Sequence, residues 1–110
     1  MRKGGGVFDR HTVDRLCHEL LRLINEGPGK NEAALNRARS IIRQFSAIPN
    51  NYVREKAAET LDDFEAWFSQ RRWRKLGTES DFRFRLYSAT SKLEIASGQM
   101  AAAASKNRRR

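Results

Sequence analysis

The sequence predicts an all-α protein, an up-and-down bundle of four helices over about residues 10–26, 32–47, 52–76 and 79–97. Three observations predict it. Apolar residues recur at three- and four-residue spacing along most of the chain. Prolines number only two, both in evident loops, and β-branched residues are few. Each periodic stretch is also bounded by cap-forming and turn-forming residues. At 110 residues there is room for one core. It is expected at 9–98, between a flexible lead at 1–8 and an Ala-rich, then basic, tail at 99–110.

The lead contains Gly4-Gly5-Gly6, too permissive a run to order itself. Asp9 is placed to N-cap the first helix, with Phe8 and Val13 spaced as a hydrophobic staple. Val13, Leu16, Leu20, Leu23 and Ile24 form its stripe, flanked by Cys17 and Leu21. Gly27-Pro28-Gly29 ends it. Asn31 caps the second helix, whose stripe is Leu35, Ala38, Ile41, Ile42 and Phe45, with Arg37, Arg39 and Arg43 directed elsewhere.

Pro49 stops that helix, and Asn50 or Asn51 starts the third. From Tyr52 to Leu76 the third helix would span roughly 37 Å at 1.5 Å per residue. Val53, Ala57, Leu61, Phe64 and Phe68 form its core face. Gly77 suits the position just past its end. Thr78 and Asp81 have the spacing of a capping box, with Asp in place of Glu. The fourth helix then presents Phe82, Leu86, Ala89, Leu93 and Met100. Residues 82–86 also alternate with period two, as a strand would, but a strand has no partner in such a chain. Gly98 is the expected end of the ordered part, with Ala101–Ala104 able to extend it. The short loops favour antiparallel neighbours, and the long third helix suggests a projecting hairpin with the start of the fourth.

Charge is distributed unevenly. The net charge is +9, yet residues 1–65 carry 11 Lys/Arg against 10 Asp/Glu, whereas 66–110 carry 11 against 3. Such asymmetry points to a polyanionic partner, most often nucleic acid. The segment Trp67–Tyr87 concentrates it, with both tryptophans, three phenylalanines and six Lys/Arg. Arg71, Arg72, Arg74, Lys75, Arg83, Arg85 and Lys92 are the candidate phosphate contacts, because guanidinium and ammonium groups neutralise phosphate. Trp73 is the candidate base-stacking group. Arg108, Arg109 and Arg110 extend the set into the tail. Trp67 and Phe82 fit the core better than a stacking platform.

Glu55, Glu59 and Asp63 share a face of the third helix, with Asp62 and Glu65 alongside. Like charges at this spacing repel by a few tenths of a kcal/mol per pair. A basic surface on another protein, or on a second copy, would relieve them, so they are the candidate protein interface.

Other chemistries find little support. His11, Asp14 and His18 share a face of the first helix, but three polar residues on one helix are a weak zinc signal, and no metal is expected. Cys17 and His18 are consecutive, about 100° apart on a helix, which rules out a nucleophile pair. Gly27–Glu32 lacks the strand and the Lys-Ser/Thr ending of a phosphate loop. No catalytic constellation and no cofactor are expected. One cysteine excludes an intrachain disulfide, no apolar run approaches the ~20 residues of a membrane span, and Met1–Phe8 lacks a signal-peptide core. A cytoplasmic location is the expectation.

The function expected is therefore that of a small, non-enzymatic nucleic-acid-binding protein, an accessory subunit of a larger nucleoprotein complex. It would contact DNA or RNA backbone without strong sequence specificity, alongside other protein subunits or copies of itself and without a membrane. The alternative is a protein–protein adaptor or inhibitor docking through the same charged and aromatic surface, with Trp73 and Phe84 as anchors.

Overall fold

The computed structural model describes residues 9–108, with side chains described for 9–75 and 77–100. The glycine lead, Phe8 with its expected staple, the side chain of Arg108, and Arg109 and Arg110 lie outside the described residues. Four α-helices and one short 3-10 helix follow in order. They are α1 (Arg10–Ile24), α2 (Glu32–Phe45), α3 (Asn51–Trp67), a 3-10 strap (Arg72–Leu76) and α4 (Glu79–Arg108).

The helix starts follow from local side-chain chemistry. Asp9 accepts from the Thr12 amide at 2.7 Å, Asn31 from Ala34 at 3.1 Å and Asn50 from Val53 at 3.0 Å. Each satisfies one of the amides that a helix start leaves without a partner. Before α4 the capping box forms in both directions. The Asp81 amide donates to Thr78 Oγ1 at 3.1 Å and the Thr78 amide to Asp81 Oδ2 at 3.4 Å. Gly77 precedes it with φ +133, a conformation that a side chain disfavours.

The helices form a four-membered ring in which α1 touches α2 and α4, and α3 lies between α2 and α4. Neighbours run antiparallel. Asn25, at the end of α1, meets Arg83 near the start of α4; Asn50, before α3, meets Met100 late in α4. The core contains Val13, Leu16, Leu20 and Ile24 from α1 and Leu35, Ala38, Ile41, Ile42 and Phe45 from α2. Val53, Ala57, Phe64 and Trp67 join them from α3, and Phe82, Leu86 and Leu93 from α4. Burial of these stripes, at about 25 cal/mol per Å² of apolar surface, is the main force holding the ring. Ion pairs Arg37–Glu19 and Arg39–Glu65 tie α2 to α1 and to α3 at the surface.

Two elements differ from the sequence expectation. The third helix ends at Trp67 and does not run to Leu76. Phe68 leaves helical geometry, and Ser69 Oγ then donates to the Ala66 carbonyl at 2.6 Å and accepts from the Arg72 amide at 2.9 Å. The chain turns back as the strap, which packs on α3 and α4 rather than prolonging a hairpin. This turn buries part of Trp73 against the core, a gain that a straight helix would forgo. The fourth helix, conversely, passes through Gly98 and its backbone stays helical to Arg108. Gly98 does not take the positive φ of a helix-ending glycine, and the Ala101–Ala104 run favours continuation. Residues 82–87 are helical: Phe82 and Leu86 are buried one turn apart, while Phe84 faces solvent. Among the described residues, no helix is long and apolar enough to cross a membrane.

Candidate nucleic-acid interface

The cationic strap is anchored by an aromatic stack. Trp67 is fully buried, and its indole Nε1 donates to the Ile24 carbonyl at 2.9 Å, closing the C-terminal end of α1. Phe82 of α4 stacks on its ring at 5.6 Å with an interplanar angle of 10°, and Trp73 meets it edge-on at 5.9 Å and 68°. Both are favoured aromatic arrangements. The α1–α2 loop closes over the same ring. A Cβ on Gly27 would lie 2.7 Å from Trp67 Nε1, and the Gly29 amide donates to the Trp67 carbonyl at 2.9 Å. Three elements and a loop therefore converge on one indole.

Around this anchor the candidate cations divide into two groups. Arg71, Arg72, Arg74 and Lys75 are exposed, and none forms an ion pair with a described residue. Arg74 lies 5.4 Å over the Trp73 ring, held by a cation–π contact. On α4 the situation is different. Arg83 is half-buried, bonded to Asn25 Oδ1 at 2.8 Å and Glu79 at 3.2 Å, and lies 5.3 Å over the Trp67 ring. Arg85 pairs with Asp63 at 3.0 Å. Lys92 is exposed beside Glu59 and Asp62 in the α3/α4 groove. The structure thus collects the four strap cations at one corner and ties Arg83 and Arg85 to internal partners. Trp73 is half-buried, with its packing directed to Trp67. Among the described residues the exposed aromatics are Phe84 (72% accessible), Tyr52 and Tyr87.

The acidic row of α3 is partly compensated within the chain. Lys56 reaches Glu59 at 3.1 Å and Glu55 at 3.6 Å. Asp63, only 8% exposed, turns into the α3/α4 seam toward Arg85. Burial pushes its carboxyl above the ordinary Asp range, and the charge and hydrogen bond of Arg85 pull back against that rise. Glu55 and Glu59 remain outward-facing.

The polar face of α1 is differently arranged. His18 Nδ1 lies 3.1 Å from the Asp14 carbonyl, and the described residues contain no group of three or more His, Cys, Asp or Glu disposed to hold a metal. Glu94 of α4 comes against Asp14 instead. Burial, then its hydrogen bond and repulsion with Asp14, raise the Glu94 carboxyl above its usual range, while His18 and Arg10 oppose the shift. Cys17 is buried, and desolvation with the charges of Glu94 and Asp14 pushes its thiol up to about 12. It is a packed, protonated thiol at neutral pH.

One cationic feature was not singled out by the sequence. Arg39, Arg43 and Arg54 line a cleft between α2 and α3. Its one local signal was Arg54 in the first turn of a helix, an unfavourable place for a cation. No protein-family model, curated protein or solved structure matches this chain.

Proposed function

We propose that the protein is a small, non-enzymatic nucleic-acid-binding subunit that contacts phosphate backbone through its strap and acts within a larger nucleoprotein complex. The observation that carries this reading is the strap itself. Four cations in five residues have no ion pair among the described residues, on a backbone braced by Trp67 and Trp73. Clustered, solvent-exposed charge of one sign is the usual footprint of backbone binding, and a braced strap loses little conformational entropy on binding. Nothing in the arrangement suits base-edge reading, so affinity without strong sequence preference follows. The basic tail from Lys106 onward adds further positive charge. The test is binding of the purified protein to mixed DNA and RNA across a salt series. Saturable, salt-sensitive binding is expected, and no binding to either at low salt would overturn the reading.

A second reading has its own observation. Phe84 and Ile95, 72% and 61% accessible, lie eleven residues apart on one outward face of α4, as helical periodicity requires. Exposed apolar groups on one helix face suit protein docking, so an adaptor role would be sensitive to Phe84→Ser and Ile95→Ser. Under the lead reading those changes leave nucleic-acid affinity unaltered. They would weaken only attachment to other subunits.

A further inference from the structure

We propose that the cleft between α2 and α3 is a second phosphate-binding site, built by Arg39, Arg43 and Arg54. The proposal deepens the nucleic-acid reading but rests on its own geometry. The cleft is an open groove of about 340 Å³ over a floor that includes Ile42, Ala57 and Leu61. Three guanidinium-bearing side chains line it, and no carboxylate does.

Two of the arginines are pre-positioned. Arg54 Nε donates to the Ser46 carbonyl at 3.3 Å. Arg39 is braced by Asn36 at 3.2 Å and by Glu65 at 3.4 Å from the rim. Arg43 forms no ion pair with a described residue. A guanidinium carries five N–H donors, so most of the donor capacity here is unspent.

Helix electrostatics show why an anion fits. Arg43, in the last turn of α2, is well placed against the negative end of that helix. Arg54 is in the opposite position: it lies in the first turn of α3, where the helix already carries partial positive charge, and no acidic residue in that turn offsets it. The cleft is thus a focus of positive potential that Glu65, ion-paired to Arg39 at 3.4 Å, offsets only in part. A phosphate relieves it with bidentate bonds to a guanidinium, and the apolar floor accepts the carbons beside a phosphodiester. Thirteen residue steps along α3 separate Arg54 from Trp67, roughly 20 Å at 1.5 Å per residue. The cleft and the strap are therefore separate contacts.

The probes are inorganic phosphate and a thymidine octanucleotide, titrated into full-length, nitrogen-labelled protein while the arginine Nε–Hε resonances are followed. The resonances of Arg39, Arg43 and Arg54 should shift together and saturably. They should do so equally in wild type and in a variant with Arg71, Arg72, Arg74 and Lys75 all changed to Gln. In an Arg43→Gln, Arg54→Gln variant the Arg39 response should be lost. Gln at these exposed positions preserves helix propensity, and an unchanged melting temperature confirms an intact fold. Saturation by the octanucleotide at tenfold lower concentration than phosphate identifies a strand as the ligand. Saturation by phosphate alone identifies a free anion, and both outcomes uphold the site. Cleft resonances that stay still while strap resonances move would overturn the cleft and leave the strap reading intact. Movement only in the cleft would do the reverse.

Discussion

Within Trp67–Tyr87, two groups of cations lie within about ten residues of each other and meet opposite fates. Arg71, Arg72, Arg74 and Lys75 stand on a turn outside the helix ladder, exposed and without an ion pair among the described residues. Arg83 and Arg85 stand on α4 where it packs beside α1 and α3, and both are taken up by Glu79, Asn25 and Asp63. Charge type and sequence neighbourhood are alike in the two groups. Their difference lies in which other elements come within reach. Only the first group is left without an ion pair among the described residues, and a charge count along the chain cannot separate the two.

The largest expected effect is on the pivot that creates the difference. Trp67→Ala removes a fully buried indole and the bond to Ile24. A loss of about 3–5 kcal/mol of stability is expected in chemical denaturation, together with release of the strap. Gly27→Ala forces a methyl toward the same ring and should cost about 1–3 kcal/mol. A wild-type denaturation midpoint for both variants would show that the stack is not the anchor.

Asp63→Asn moves Arg85 from the paired group to the unpaired one. Nucleic-acid affinity should rise, and the slope of log affinity against log salt should steepen by about one unit if Arg85 then meets phosphate. Stability should change by less than about 1 kcal/mol, because burial of the ionised Asp63 already works against its pairing. The pH dependence has a definite sign. A carboxyl raised above its unfolded value contributes stability that is present below the ordinary Asp range and is lost as pH rises through the folded value. Asp63→Asn should flatten that decline, which pH-dependent melting would reveal.

Glu94 provides the acidic counterpart at another seam, where the strongest neighbour is a second carboxyl, Asp14, only partly opposed by His18 and Arg10. By the same sign, its contribution is lost as pH rises through its elevated range. Glu94→Gln should therefore melt above wild type near neutral pH, with the difference vanishing below the ordinary Glu range. The smallest effect concerns Cys17. With its thiol at about 12, the native protein should react with a thiol reagent no faster than it opens, and urea should restore rapid labelling.

What was legible in the sequence was local. Asp9, Asn31, Asn50 and the Thr78–Asp81 box cap their helices because each acts over three residues. The end of α3 was not legible, because it depends on Trp67 reaching Ile24, 43 residues earlier, and on Trp73 folding beneath it. The inner face of α4 was legible at Phe82, Leu86 and Leu93, but not at Thr90 and Ser97, polar residues buried in line with them. For the candidate site, the cationic segment was readable from composition. Its division into paired and unpaired groups was readable only in part: Glu79 stands one turn before Arg83 on the same helix, whereas Asp63 and Asn25 come from distant parts of the chain.

On the proposed function, the strap cations, and not those of α4, hold uncommitted charge for nucleic acid. The most direct measurement compares the salt dependence of duplex binding by wild type and two variants. One replaces Arg71, Arg72, Arg74 and Lys75 with Gln, and the other replaces Arg83 and Arg85 with Gln. Each phosphate contact contributes about −0.9 to the slope of log affinity against log salt. The strap variant should keep its fold while its slope becomes shallower by roughly 2–4 units. The α4 variant should lose stability while its slope stays within about half a unit of wild type. An unchanged slope in the strap variant, or a larger change in the α4 variant, would show that the strap is not the phosphate contact.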